Sequence, residues 1–165
     1  MALTEIPPGS AVFVDANIFI YHFAGRSGEC SAFLRRIEGG ELQGFTGPIS
    51  LLEVAHRLMM LEAAARRPGM KGSPAMILNK RPDLVRELSM YYFSVLAIAK
   101  FGLQVVPLPP DLLTASQEFR QAYGLLVNDS LVAMHMRQAG LSFLASADAA
   151  FDRVKGIDRF APGDI

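Results

Sequence analysis

The sequence predicts a three-layer α/β/α sandwich, in which helices cover both faces of a central parallel sheet. Short apolar runs alternate along the chain with longer segments of helical periodicity. The runs are apolar at nearly every position, as is typical of parallel strands, because helices cover both faces of such a sheet. With 165 residues, the chain also has the usual length of one domain. We therefore expect a single α/β domain over residues 1–165.

The strands are predicted from short apolar runs that lie between turn residues. The first run, AVFV, is rich in β-branched and aromatic side chains and ends directly before an aspartate. The predicted strands are 11–14, 42–46, 103–108 and 141–145, with a short terminal strand at 158–162.

The helices are predicted between these strands. Apolar residues from Ile18 to Ile37 indicate helical cover that ends at Gly39. Pro48 opens a helix that runs to about Ala65, because proline is tolerated in the first helical turn. Two helical stretches follow, the second at about 82–100, and further helices are predicted at 109–124, 129–138 and 148–154. The region at about 66–100 is therefore expected to be an extended helical segment.

The charge balance limits the ways in which the chain binds polyanions. Lys and Arg total 16 and Asp and Glu total 16, so no overall positive field attracts nucleic acid. Five basic residues without an intervening acid form a local patch, which fits either a solvated loop or an RNA-backbone contact. These residues, called the basic segment below, are Arg66, Arg67, Lys71, Lys80 and Arg81.

The composition also bears on compartment and assembly. A single cysteine, Cys30, excludes an internal disulfide framework, and the chain shows neither a signal-peptide pattern nor an apolar run long enough for a bilayer. We expect a soluble cytoplasmic protein with no membrane partner. Hydrophobic residues make up 51% of the chain, which exceeds what one core of this size readily buries. We expect the surplus, including the run from Tyr91 to Ala99, to form a homodimer interface.

Four carboxylates are predicted to lie near the carboxyl edge of the sheet, where open α/β sheets bind ligands. Asp15 and Asp148 follow predicted strands, and Glu53 and Asp129 lie near helix starts. Each has a purely structural alternative: Asp15 and Asp148 as N-caps, Asp129 as a first-turn acid, and Glu53 in a capping box with Ser50. Together they would repel one another unless protons or cations compensate them; a divalent cation is the natural remedy, and hard oxygen ligands suit Mg²⁺ or Mn²⁺.

Four stretches in this order resemble the motifs of the PIN-domain nucleases: VDANIFIY, TGPISLLEVAHR, NDSLVAMHM and LASADAAFDRV. The resemblance extends from about Ala11 to Pro162, although the segment at 66–100 makes this chain longer than a compact member. It implies an acidic pocket that binds Mg²⁺ or Mn²⁺ and hydrolyses RNA phosphodiester bonds. The positions that match the family's acids are Asp15, Glu53, Asp129 and Asp148, with Asp152 as a further metal-site acid. The positions that match its supporting polar residues are Asn17, Thr46, Asn128 and Ser146.

Three functions from different classes stay open on this basis. The first is a metal-dependent endoribonuclease that resembles the VapC-like toxins of toxin–antitoxin modules, with an antitoxin as partner. The second is a catalytically silent PIN-like module that binds protein or RNA, which loss of one of the acids would favour. The third is a haloacid-dehalogenase-type phosphatase, which needs an aspartate where this chain has Asn17. For the nuclease we expect Asp15 and Asp129 to be the most direct metal ligands.

Overall fold

The structure, a computed structural model, describes residues 1–66 and 72–165. The described residues form a five-stranded sheet in the order β3-β2-β1-β4-β5, and every neighbouring pair is parallel. The strands are β1 (Ala11–Val14), β2 (Gln43–Thr46), β3 (Gln104–Val105), β4 (Phe143–Ala145) and β5 (Asp158–Phe160). The parallel sheet between helices confirms the predicted fold class.

The helices connect these strands across both faces of the sheet. They are α1 (Ala16–Phe23), α2 (Gly28–Glu38), α3 (Pro48–Arg66), α4 (Pro74–Lys80), α5 (Pro82–Glu87), α6 (Met90–Ile98), α7 (Leu112–Ala115), α8 (Gln117–Tyr123) and α9 (Val127–Gln138). Single 3-10 turns lie at Leu3–Glu5, Ala99–Phe101 and Ala149–Arg153. Among the described helices, none is long and apolar enough to cross a membrane.

The central strand β1 divides the interior into two apolar cores. Val12 and Val14 pack on one face with residues of α1, α2, α3 and α6. Phe13 packs on the opposite face with residues of α7, α8 and α9. Side chains of a strand alternate between its two faces, so this run of buried residues fills both cores at once. The strand is therefore fixed on both sides, and so is the residue that follows it, Asp15.

A third, smaller cluster supports the far end of α3. Ala63 of α3 packs with Leu78 of α4, Leu84 of α5 and Leu88. The Glu62 carboxylate accepts hydrogen bonds from the backbone N–H groups of Ser89 and Tyr91, at 3.1 and 3.0 Å. These bonds satisfy donors at the start of α6, which would otherwise lack partners. The helices at 74–98 are thus attached to α3 beyond the sheet.

Several predicted elements are shorter in the structure than the sequence indicates. The helical cover predicted at 18–39 is two helices, because Gly25 lies at φ 63° and ends the first. The stretch predicted at 82–100 is likewise divided, into α5 and α6, and the helix predicted at 109–124 into α7 and α8. The strand predicted at 103–108 is reduced to Gln104–Val105. Pro107 has no N–H to continue the ladder, and the strand lies at the sheet edge.

Candidate active site

The point at the carboxyl edge of the sheet where the connections from its strands diverge positions Asp15, the first of the predicted acids. β1 pairs with β2 on one side and with β4 on the other, so the connections from these strands diverge at β1. Asp15 directly follows β1, and Ser146 directly follows β4. The backbone N–H of Asp15 donates to the carbonyl of Ala145 at 3.0 Å, which holds the two strand ends together. Such a divergence point is where open α/β sheets bind ligands.

Asp15 is buried at this point, with only 9% of its surface exposed. Its Oδ1 accepts a hydrogen bond from the backbone N–H of Ala16 at 2.7 Å, which makes it the N-cap of α1. Its Oδ2 accepts from Asn17 Nδ2 at 2.6 Å and from Ser146 Oγ at 2.7 Å. Its partners are neutral donors, and no described Lys or Arg forms a salt bridge with it.

Asn17 and Ser146 fix the orientation of this carboxylate. Asn17 Oδ1 accepts from the backbone N–H of Ala147 at 3.0 Å, so the side chain spans from α1 to the residues after β4. Ser146 Oγ accepts from Asn17 Nδ2 at 3.0 Å and from the backbone N–H of Asp148 at 3.1 Å. These bonds use most of the hydrogen-bonding capacity of both groups. The supporting role that the motif resemblance implies for Asn17 and Ser146 thus has a geometric basis.

Thr46 supports the site from the neighbouring strand. Its hydroxyl is buried at the end of β2 and donates to the carbonyl of Val14 at 3.0 Å. Val14 is the last residue of β1, so this bond joins the ends of β1 and β2 directly before Asp15. Thr46 therefore acts on the strand that carries the carboxylate and not on the carboxylate itself.

The electrostatics of the site show that the four acids interact. Burial raises the pKa of Asp15 from 3.8 to about 6; the hydrogen bonds from Ser146 and Ala16 oppose this shift, and the charges of Glu53 and Asp129 add to it. Burial also raises the pKa of Asp129, and the nearby charges of Asp148 and Glu53 raise it further. Asp15, Glu53, Asp129 and Asp148 are called the acidic cluster below.

The other three members of the cluster come from separate elements. Glu53 is on α3, and its only described ion pair is with Arg57, at 3.8 Å between Nε and Oε1. Asp129 is the third residue of α9 and is half-buried. Asp148 is exposed and caps the 3-10 turn that follows it, because its Oδ1 accepts from the backbone N–H of Ala150 at 2.8 Å.

The structural alternatives for the acids hold only in part. Asp15 and Asp148 are N-caps, as the alternative predicts, but a capping bond does not account for the raised pKa of Asp15. The capping box of Glu53 with Ser50 does not form, because the helix begins at Pro48 and Ser50 lies inside it. Within the described residues, the buried Ser50 Oγ makes no hydrogen bond.

Two further predicted residues lie at the margin of the cluster. Asp152 is exposed and forms a two-pronged ion pair with Arg159, at 2.7 and 2.8 Å, which lowers the pKa of the carboxyl. Arg159 also donates to the carbonyl of Ser146 at 3.0 Å, so Asp152 connects to the site through this arginine. Asn128 is exposed beside Asp129 and lines a cleft together with Glu53.

The basic segment is only partly described. Arg67 and Lys71 lie outside the described residues. Arg66 pairs with Glu62 at 2.8 Å, and Arg81 pairs with Asp83 at 2.6 Å, so acids just outside the segment neutralise these two arginines. Lys80 is exposed at the end of α4.

The donor set of the cluster suits a hard divalent cation. Carboxylate oxygens are the ligands that Mg²⁺ and Mn²⁺ prefer, and a buried Asp15 without a cationic partner gains from a nearby positive charge. Within residues 1–66 and 72–165, no three Asp, Glu, His or Cys side chains are already arranged as a ligand set. The hydrogen bonds of Asp15 to Asn17 and Ser146 hold its oxygens toward those donors. An ion held by Asp15 would therefore need Glu53, Asp129 or Asp148 to complete its set of ligands.

Two arginines beside the cluster were missed in the sequence. Arg57 follows Glu53 by four residues, which places both on one face of α3. This spacing alone was enough to predict that Arg57 lies beside Glu53. Arg26 lies in the connection after α1 and lines a cleft together with Asn17 and Glu53. It has no sequence signal, because only the packing of α1 against α3 brings it to this place.

Comparisons with known proteins agree with this geometry. A family model described as PIN domain matches residues 12–157. Ribonuclease VapC2 of Methanocaldococcus jannaschii is 29% identical over 143 residues, which cover 87% of this chain and 88% of that protein.

Solved structures share the fold at low identity. VapBC2 from Rickettsia felis, bound to a DNA fragment from its promoter, is 15% identical and aligns over 92% of this chain and 98% of that chain, with a TM-score of 0.58. A toxin–antitoxin complex from Klebsiella pneumoniae is 17% identical and aligns over 89% of this chain and 95% of that chain, with a TM-score of 0.55. Because the family model spans most of the sequence and these structures share the sheet-and-helix arrangement, the chain belongs to the PIN domain family.

Proposed function

We propose that this protein is an endoribonuclease that depends on Mg²⁺ or Mn²⁺ and is the toxin of a toxin–antitoxin pair. The relative in Methanocaldococcus jannaschii is named a ribonuclease, and two solved neighbours are complexes of toxin with antitoxin or of VapBC2 with promoter DNA. The observation that carries the proposal is the acidic cluster, in which a buried Asp15 has a raised pKa beside Glu53 and Asp129.

The cluster supplies the groups that such a nuclease needs. PIN-domain ribonucleases generally use divalent metal ions. We propose Asp15 and Asp129 as direct ligands, completed by Glu53 and Asp148, with Asp152 in support. A bound ion would polarise the phosphate and increase the acidity of a bound water. The chain's own contribution is orientation: Asn17 and Ser146 hold Asp15, and Thr46 ties the strand that precedes it to β2.

The proposed protein partners include a second copy of the chain, because α6 exposes apolar side chains. Met90, Tyr92, Phe93 and Leu96 of α6 are each more than half exposed. Adjacent exposed apolar side chains of this size are typical of protein interfaces. We propose that α6 contributes to a homodimer and that an antitoxin binds the toxin in the cell. The activity would reside in one domain over 1–165 and in the cytoplasm, where its RNA substrate and antitoxin occur.

The experiment that tests the function is cleavage of single-stranded RNA by the purified protein. We expect cleavage with Mg²⁺ or Mn²⁺, none in excess EDTA, and a loss of at least 100-fold in Asp15→Asn and Asp129→Asn, because general metal and acid–base contributions are of this order. Asp158→Asn is the matched control, since Asp158 is an exposed acid at the start of β5, at the opposite edge of the sheet. Cleavage that persists in EDTA, or full activity of both variants, would favour the silent-module alternative.

A further inference from the structure

Two clefts lie on either side of the Glu53 side chain. The first has a volume of about 410 Å³ and is lined by residues of α1 and α3, including Asn17. The second has a volume of about 610 Å³ and is lined by residues of α3 and α9, including Asn128. Both volumes are within the range of small-ligand sites. Glu53, Arg57 and Met60 line both clefts, so the clefts meet along one face of α3.

Arg57 is the cation at this boundary, and it is weakly held. Its only described ion pair is with Glu53, at 3.8 Å, and 66% of its side chain is exposed. An exposed pair at this distance contributes little to stability, because water screens the charges. The guanidinium can therefore turn from Glu53 to an incoming anion at small cost.

The first cleft contains a second arginine beside apolar walls. Arg26 is exposed, and its side chain makes no hydrogen bond or salt bridge within the described residues. Ile20, Tyr21 and Leu61 line the same cleft. A guanidinium next to an aromatic ring and aliphatic side chains suits an unpaired nucleotide, whose phosphate is anionic and whose base has apolar faces.

The charges explain why such cations are needed at this place. The acidic cluster by itself repels a phosphate backbone, and the chain has no overall positive charge to compensate. Arg66 and Arg81 of the basic segment are already paired with Glu62 and Asp83. Among the described residues, Arg57 and Arg26 are the arginines that line the first cleft, beside Glu53.

Resting on the proposed nuclease function, we propose that Arg57 binds a backbone phosphate of single-stranded RNA. The nucleotides on the two sides of the cleavage position occupy the two clefts, and Arg26 binds a second phosphate in the first cleft. Both arginines are substrate-binding residues. A double helix is excluded as the direct substrate of this arrangement, because its paired bases cannot enter separate clefts.

The test combines steady-state kinetics with metal-free binding. Arg57→Gln should raise the KM for a single-stranded oligoribonucleotide about tenfold with a smaller change in kcat, as expected when one charge-assisted contact is lost. Arg57→Lys should recover most of that loss, because it keeps the charge. Binding of the same oligonucleotide is measured in EDTA by fluorescence anisotropy at several salt concentrations. The slope of log K against log salt concentration should be smaller in magnitude by about 0.7 in Arg57→Gln, and likewise in Arg26→Gln, because each variant loses one phosphate contact. Arg35→Gln is the matched control, since Arg35 is exposed on α2 and lines neither cleft.

The outcomes separate this inference from the proposed function. Wild-type cleavage with unchanged KM and salt slope in both Arg57→Gln and Arg26→Gln would overturn the inference and leave the nuclease intact; the clefts would then be open to a helix of a protein partner. An equal loss of RNA affinity in the Arg35→Gln control would also overturn it, because the loss would then reflect the overall charge of the protein and not a contact in the clefts. Failure of the wild type to bind or cleave RNA would overturn the proposed function, and the inference with it.

Discussion

Removal of the buried charge at position 15 should make the metal-free protein less sensitive to pH. The pKa of Asp15 is about 6 in the folded protein, against an ordinary value of 3.8. Because the folded state retains a proton that the unfolded state releases, the free energy of unfolding falls as pH rises from about 4 to about 6 and stays lower above that. Asp15→Asn cannot ionise, so this loss should be absent from the variant.

The size of the effect follows from the two pKa values. They differ by about two, and each unit corresponds to about 1.4 kcal/mol, so ionised Asp15 costs about 3 kcal/mol at neutral pH. About 2 kcal/mol of this loss falls between pH 4.5 and pH 7.5. For a chain of this size, that is about 4–8 °C in Tm. The comparison between two pH values cancels the hydrogen bonds from Asn17 and Ser146 that the amide of the variant does not accept, since their loss is the same at both pH values.

The assay is urea unfolding of the wild type and Asp15→Asn in EDTA at pH 4.5 and 7.5. The variant should gain about 2 kcal/mol relative to the wild type on going to the higher pH. Asp148→Asn is the matched control, because Asp148 is an exposed N-cap and asparagine ranks with aspartate at that position. Equal pH dependence in the wild type and Asp15→Asn would refute the reasoning that burial of this carboxylate is costly.

Three other changes test separate parts of the structure. Ser146→Ala removes a hydrogen bond to the buried Asp15 carboxylate, so urea unfolding should show a loss of about 1–3 kcal/mol; an unchanged midpoint would contradict the geometry. Gly47→Ala places a Cβ 2.6 Å from His135 Nδ1, and the forced shift should lower stability by about 1–3 kcal/mol in the same assay; no change would mean that the imidazole moves freely. Phe93→Asp places a charge on the exposed face of α6 and should convert a dimer to a monomer in light scattering; a wild type that is already monomeric would remove this interface from the account.

The sequence predicts best those features that depend on short stretches of chain. The strand Ala11–Val14 and the helix that begins at Pro48 are found as predicted, because a buried run and an N-terminal proline are local signals. The order of the motifs along the chain also sufficed to propose four acids at one edge of the sheet. Their exact ligand roles stay a prediction.

Features that depend on packing were not predictable in this way. The break between α5 and α6 is capped by Glu62, whose carboxylate comes from α3, more than twenty residues earlier. Arg159 of β5 pairs with Asp152 of the 3-10 turn seven residues earlier, because the chain turns back there to pair β5 with β4. The shortening of β3 was signalled by Pro107, but its position at the sheet edge follows from the strand order.

The central claim is that Asp15, Glu53, Asp129 and Asp148 together form one site that binds a divalent cation. Titration of Mn²⁺ followed by electron paramagnetic resonance measures this directly, because the signal of free Mn²⁺ falls as the ion binds. We expect saturable binding to the wild type and to Asp158→Asn, and a loss of at least tenfold in affinity in Asp15→Asn and in Asp129→Asn. Equal Mn²⁺ affinity in all four proteins, or no binding to the wild type, would contradict the claim.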